Sequence, residues 1–190
     1  MTGRRGSGGA RSVGLRTLAA ALVGAGALLA GCGGTAPAQP TSQALATAQP
    51  AAPAAVQATF ARLDGAVRAT GLVVEPTLAE VRPAEPPSFA SVARWPFRAV
   101  LPNDPAGGFF VIYGFPSAAL AADGARDLAA YVTSGPGRVQ FPPDVRFVLR
   151  QVDSTLVFYP WSPASSPDPK TADLAAAIAS VGTGVPIPPG

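Results

Sequence analysis

From residue 56 onward, the apolar positions Val56, Phe60, Leu63 and Val67 recur at spacings of four, three and four, which is one face of an amphipathic helix. Gly71 supplies its C-terminal stop, and Asp64 with Arg68 forms an i,i+4 pair on the polar side. Residues 72–94 carry Pro76, Pro83, Pro86 and Pro87 and no clear period, so they read as irregular connection. Two β-rich runs follow, 95–101 and 109–115, separated by Pro-Asn-Asp-Pro-Ala-Gly-Gly, whose residues suit turns and left-handed backbone; the pattern predicts a hairpin. In the second run Phe109, Val111, Tyr113 and Phe115 share one face, and Phe110 and Ile112 the other. Both faces are apolar, which points to a central strand covered on both sides or to an inner strand of a twisted sheet.

Ser117 is placed to cap a helix running to about Ser134, with Leu120, Gly124, Leu128, Tyr131 and Val132 along one stripe and Gly135-Pro136-Gly137 ending it. Residues 145–152 and 155–161 form a second strand pair around Asp153-Ser154. Asp168-Pro169 then resembles an N-cap followed by Pro at the first helical position, and Leu174, Ile178 and Val181 give the last helix its apolar face. The expected order is α-β-β-α-β-β-α over residues 56–182. That is an α+β domain built on a small, mainly antiparallel four-stranded sheet with packed helices, followed by a Pro-rich tail at 183–190.

The N-terminal part has a different pattern. Residues 1–16 carry four Arg and no acid, and residues 17–31 are uncharged and largely apolar, ending in small residues. This is the arrangement of a secretory signal, and its apolar run is shorter than the ~20 residues a spanning helix needs. At its end, Leu29-Ala30-Gly31-Cys32 resembles the lipobox of bacterial lipoproteins. The resemblance implies recognition of Leu29, Ala30 and Gly31 by the lipoprotein signal peptidase, cleavage before Cys32, and diacylglycerol on the Cys32 thiol. Two or three acyl chains, at ~0.8 kcal/mol per buried methylene, hold a protein on a membrane far more firmly than one chain does. Residues 33–55 have no charge and no aromatic residue, with Pro at 37, 40, 50 and 53. Such a segment cannot bury enough apolar surface to offset its ordering entropy, and reads as a disordered tether. The expectation is a lipid-anchored protein on the extracytoplasmic side of the cell membrane, with membrane lipid as its first partner.

Composition narrows the chemistry. The 190 residues include no His, one Cys and one Lys, which removes Ser-His-Asp and Cys-His catalysis and most metal sites; no metal and no cofactor is expected. The formal charge of +3 rests on the leader, because without Arg4, Arg5, Arg11 and Arg16 there remain 10 basic and 11 acidic residues. A near-neutral mature chain lacks the cationic density that nucleic-acid binding draws on. Asp123 and Asp127 sit one helical turn apart but have Arg126 beside them, and read as a solvated helix face. Asp104 reads as a turn former rather than a cation ligand. Gly107-Gly108 and Gly135-Pro136-Gly137-Arg138 lack the strand–loop–helix order of a phosphate cradle.

One constellation stands out. Alternation places Arg146 and Arg150 on one face of a strand, near Tyr159 and Trp161 of its hairpin partner. Guanidinium groups interleaved with aromatic rings grip sugars or anionic polymers, and the same pattern also serves a solvent-facing strand packed on aromatic neighbours. In addition, Val111-Ile112-Tyr113-Gly114-Phe115-Pro116-Ser117, followed by an Ala-rich helix, resembles the strand-to-helix entry of SPOR domains, which bind peptidoglycan glycan strands. The resemblance implies a cell-wall polymer as ligand. The expectation is therefore a non-catalytic binding module of the cell envelope, with a protein or wall-polymer partner. The alternative is a small enzyme using the carboxylates of Asp104, Asp123 or Asp127.

Overall fold

A computed structural model describes residues 51–77 and 83–188. The expected leader, the lipobox with Cys32, and the tether up to residue 50 lie outside the described residues. The folded unit begins with α1 (Ala54–Arg68), whose buried residues Val56, Leu63 and Val67 belong to the stripe expected for it. Arg68 Nε bonds Asp64 Oδ2 at 2.7 Å across one helical turn. The strands are β1 (Val74–Pro76), β2 (Ala93–Ala99), β3 (Phe109–Gly114), β4 (Arg146–Val152), β5 (Thr155–Trp161) and β6 (Thr183–Gly184). The helices after α1 are α2 (Ala118–Thr133), the single turn α3 (Gly135–Arg138) and α4 (Lys170–Ala179).

These strands make one six-stranded antiparallel sheet in the order β1-β2-β3-β5-β4-β6, which corrects the expected four-stranded sheet, although the class is still α+β. The two additional strands are the edges. β1 lies in the segment read as irregular, and β6 in the segment read as a tail. With three and two residues, they are too short to show a period of two, and what makes them strands is a partner distant in sequence. Pro76, which has no amide hydrogen to offer a ladder, is tolerated because β1 is an edge. Beyond β6, Val185 N–H donates to Leu149 O at 3.0 Å, and Val185 and Ile187 pack on the sheet.

The sheet is covered on both faces, so there are two cores. On one face α1 and α4 bury Trp95, Phe97, Phe110, Ile112, Val157 and Tyr159. On the other, α2 and a short 3₁₀ turn (Pro87–Phe89) bury Val111, Tyr113, Leu149, Leu156 and Phe158. β3 is therefore a central strand whose alternate residues enter opposite cores. Each such fully buried side chain stabilises the fold by ~1.5–3 kcal/mol.

The Ser117 hydroxyl oxygen accepts from Leu120 N–H and caps α2. The buried stripe of α2 is Ala121, Gly124, Ala125, Leu128, Ala129 and Val132, and Leu120 is exposed, so the expected stripe is rotated by one residue at its start. The small residues let α2 lie close to the sheet, and Gly124 leaves the space that Phe115 fills. At the β2–β3 turn, Gly108 has φ +79°, and a Cβ there would lie 2.2 Å from Ala99 O, so both its backbone angle and its neighbour require glycine.

Candidate binding cleft at the open end of the sheet

The central β3–β5 ladder runs from Gly114–Thr155 to Val111–Phe158 and stops. Continued in the same register, it would set Phe109 opposite Pro160, which has no amide hydrogen to donate. Pro160 and Trp161 stay paired with Phe147 and Arg146 of β4, so β5 follows β4 while β3 turns away toward β2. Between the two diverging strands lies a cleft of about 440 Å³. Its apolar walls include Phe109, Phe141, Tyr159 and Trp161, and its polar rim includes Asp104, Ser162, Ser165 and Thr171.

Two loops form the rim, and side chains tie them together. The β2–β3 loop turns tightly, with Gly107 N–H donating to Asp104 O at 3.0 Å. Asp104 Oδ2 accepts from the Ser166 hydroxyl at 2.8 Å, and Ser166 Oγ lies 2.6 Å from Thr171 Oγ1. Asp168, only 3% exposed, accepts from Asn103 N–H at 2.6 Å and from Lys170 N–H at 2.8 Å. The helix begins one residue later than expected, with Pro169 at its N-cap position; Asp168 just before it bonds the first amide of α4 and also clamps the hairpin loop.

On the far side, Asp144 Oδ1 accepts from the Ser162 hydroxyl and Oδ2 from Ala164 N–H, both at 2.7 Å. These bonds favour the ionised carboxylate and hold Asp144 below its ordinary value, the Ser162 hydroxyl contributing most. The arrangement fixes the shape of the rim.

The four residues expected to share a face do share it, and the structure then separates them. Arg146 pairs with Trp161, Val148 with Tyr159, and Arg150 with Val157. Tyr159 and Trp161 line the cleft. The Arg146 guanidinium lies over the Trp161 ring, 5.2 Å from its centroid, and faces a second hollow of about 300 Å³ on the other side of Trp161. Arg150 takes no part in either hollow. Its Nε and Nη2 donate to Val181 O at 2.8 Å and Gly182 O at 2.6 Å, holding the chain where it leaves α4.

Asp104, read as a turn former, does form the turn and also reaches the cleft. Sequence reasoning missed Phe109, Phe141, Ser162 and Thr171 as neighbours; the one available signal was Pro160 inside an otherwise regular strand. Asp123 and Asp127 are exposed on α2, where Asp123 pairs with Arg126. Residues 135–138 form α3, and Arg138 donates to the carbonyls of Pro142 and Pro143. Among the described residues no three His, Cys, Asp or Glu side chains gather as a metal site, and no helix is long and apolar enough to cross a membrane. Exposed large apolar side chains there are few: Val73, Val100, Leu120 and Val139.

Compared with known proteins, the chain matches no family model, no curated protein and no solved structure.

Proposed function

We propose that this protein is a lipoprotein, anchored through Cys32 to the extracytoplasmic side of the cell membrane, whose folded unit is a non-catalytic binding module of the cell envelope. The support for the anchor is the sequence alone: an Arg-rich start, a short apolar run, and Leu29-Ala30-Gly31-Cys32. The observation that carries the binding role is the cleft between β3 and β5, with aromatic walls, rim hydroxyls held by Asp104 and Asp144, and a rim loop clamped through its backbone by Asp168. Concave sites with apolar walls and a few fixed polar groups bind ligands. The partner belongs to the envelope, and a wall polymer suits a cleft of this size better than a flat protein surface does.

The test uses the full chain expressed in a lipoprotein-processing bacterium. The intact mass should correspond to a chain starting at Cys32 and carrying acyl chains, and Cys32→Ala should leave the membrane fraction. The purified lipoprotein in detergent should sediment with isolated, membrane-free cell-wall material, and Trp161→Ala and Phe109→Ala should each reduce that sedimentation several-fold. An unmodified Cys32 overturns the anchor. Wall sedimentation that is absent, or indifferent to both cleft variants, overturns the binding role.

A further inference from the structure

The cleft contains a polar group without a partner. Tyr159 is 2% exposed and lines the cleft, yet its hydroxyl has no hydrogen-bond partner among the described residues. The hydroxyl is not among the side-chain atoms sealed from solvent without a partner, and Tyr159 is one of the residues lining the cleft. A phenol in this position ordinarily finds an acceptor, and here the acceptor has to come from outside the protein. The Asp104 carboxylate is close enough that its charge, after burial, helps hold the phenol in its protonated, donating form. Asp104 engages Ser166 through Oδ2, and its Oδ1 has no hydrogen bond among the described residues. Beside the Trp161 ring the cleft thus presents the unpartnered Tyr159 hydroxyl and the Asp104 carboxylate, and among the described residues none lining it is Lys or Arg.

We infer that this cleft binds a neutral or amino-bearing sugar ring, with Tyr159 Oη donating to a ring substituent, Asp104 Oδ1 accepting from a hydroxyl, and the apolar face of the ring against Trp161. The inference rests on the cleft being a binding site, as proposed above, and adds the ligand's chemistry. A sugar ring combines an apolar C–H face with hydroxyls that both donate and accept, which is what this set of groups requires. An acidic ligand is disfavoured: Asp104 would repel it, and Arg146, the nearby cation, borders the other hollow.

The experiment is calorimetric titration of the full-length lipoprotein in detergent with the tetramer of N-acetylglucosamine, and in parallel with tetragalacturonate as an acidic sugar of the same length. The N-acetylglucosamine tetramer should bind and tetragalacturonate should not. Tyr159→Phe should weaken binding about five- to tenfold, the loss of one hydrogen bond, with no fall in melting temperature because the deleted hydroxyl has no protein partner. Gly107→Ala should also weaken binding, because its Cβ would lie 2.2 Å from Asp104 Oδ2 and displace the carboxylate. Absence of tetramer binding, a preference for tetragalacturonate, or wild-type affinity in Tyr159→Phe overturns the inference. If the tetramer fails to bind while Trp161→Ala still abolishes wall sedimentation, only the sugar chemistry falls; if sedimentation is also unaffected, the cleft itself is not a binding site.

Discussion

The two ends of the β3–β5 strand pair have opposite fates. At the end where Gly114 meets Thr155, the ladder is completed beyond the strands by Phe115 N–H donating to Ser154 O at 2.9 Å. There α1 lies over the sheet, and Thr59 Oγ1 sits 2.8 Å from Thr155 Oγ1, both residues buried. Trp95 occupies the space that a side chain on Gly114 would take, with Cζ3 2.9 Å from an added Cβ. At the other end the ladder stops at Val111–Phe158, Pro160 offers no amide, and a cleft opens. What distinguishes the ends is the central ladder: at the closed end Phe115 extends it and the Thr59–Thr155 hydroxyls pair beside it, while at the open end it stops at Val111–Phe158 and Tyr159 Oη has no hydrogen-bond partner among the described residues.

The sharpest way to break this contrast is by truncation. Leu156, fully buried and paired with Tyr113 one step from the closed end, should cost about 3 kcal/mol as Leu156→Ala. Phe109→Ala at the half-exposed mouth of the cleft should cost well under half of that, and chemical denaturation of the two variants compares them directly. Equal losses would mean that the open end is as tightly packed as the closed one.

The threonine pair tests the polar side of the same contrast. Thr155 Oγ1 donates to Val152 O at 2.8 Å, so its single proton is used and Thr59 must donate to it. Thr155→Val should therefore strand the Thr59 proton and cost about 1–2 kcal/mol, while the double variant with Thr59→Val should recover most of the loss. A double-mutant cycle with no coupling would remove the hydroxyl pair as a cause of closure.

Alkaline titration compares the phenols of the two cores. Tyr113 is pushed above its ordinary value chiefly by burial, then by the charge of Glu85 and its 2.8 Å bond to Glu85 Oε1; Tyr159 is pushed up by burial, then by Asp104. A raised folded pKa means that the native state resists losing the proton while the unfolded chain loses it near 10, so stability is intact below about pH 10 and declines as pH rises beyond it. Phenolate absorbance for these two residues should thus appear together with unfolding and not before it. Ionisation of Tyr159 in the folded state, ahead of Tyr113, would mark the cleft as more hydrated than its burial implies.

The smallest expected effect is Tyr159→Phe without ligand, whose melting temperature should match the wild type within about a degree, since no protein hydrogen bond is lost. Tyr113→Phe, which strands Glu85 Oε1 beside Arg94, should be clearly less stable. The two substitutions delete the same atom, and only the presence of a partner differs.

Much of the local structure was legible because it depends on near neighbours. The stripe of α1, the Ser117 cap, the double-faced apolar run of β3 and the hairpin at Asp153-Ser154 each arise within a window of a few residues. The edges were not legible. Val74–Pro76 and Thr183–Gly184 are strands only because Ala99 and Gln151 are there to pair with. The shared face of Arg146, Arg150, Tyr159 and Trp161 followed from alternation, but alternation sees a strand as endless, and it could not tell that Arg150 would hold the α4 exit while Tyr159 met a cleft.

By itself the sequence determined the absence of imidazole chemistry, the positions of most helices and inner strands, and the alternation that puts Tyr159 and Trp161 on one face. These depend on residue identity and on short-range periodicity. Only the tertiary structure decided that the sheet has six strands, that β3 and β5 part before Pro160, and that two loops meet through Asp104 and Ser166, 62 residues apart. Contacts of that kind are set by which distant partner completes a hydrogen bond or excludes water, and no local window of sequence contains both halves of the pair.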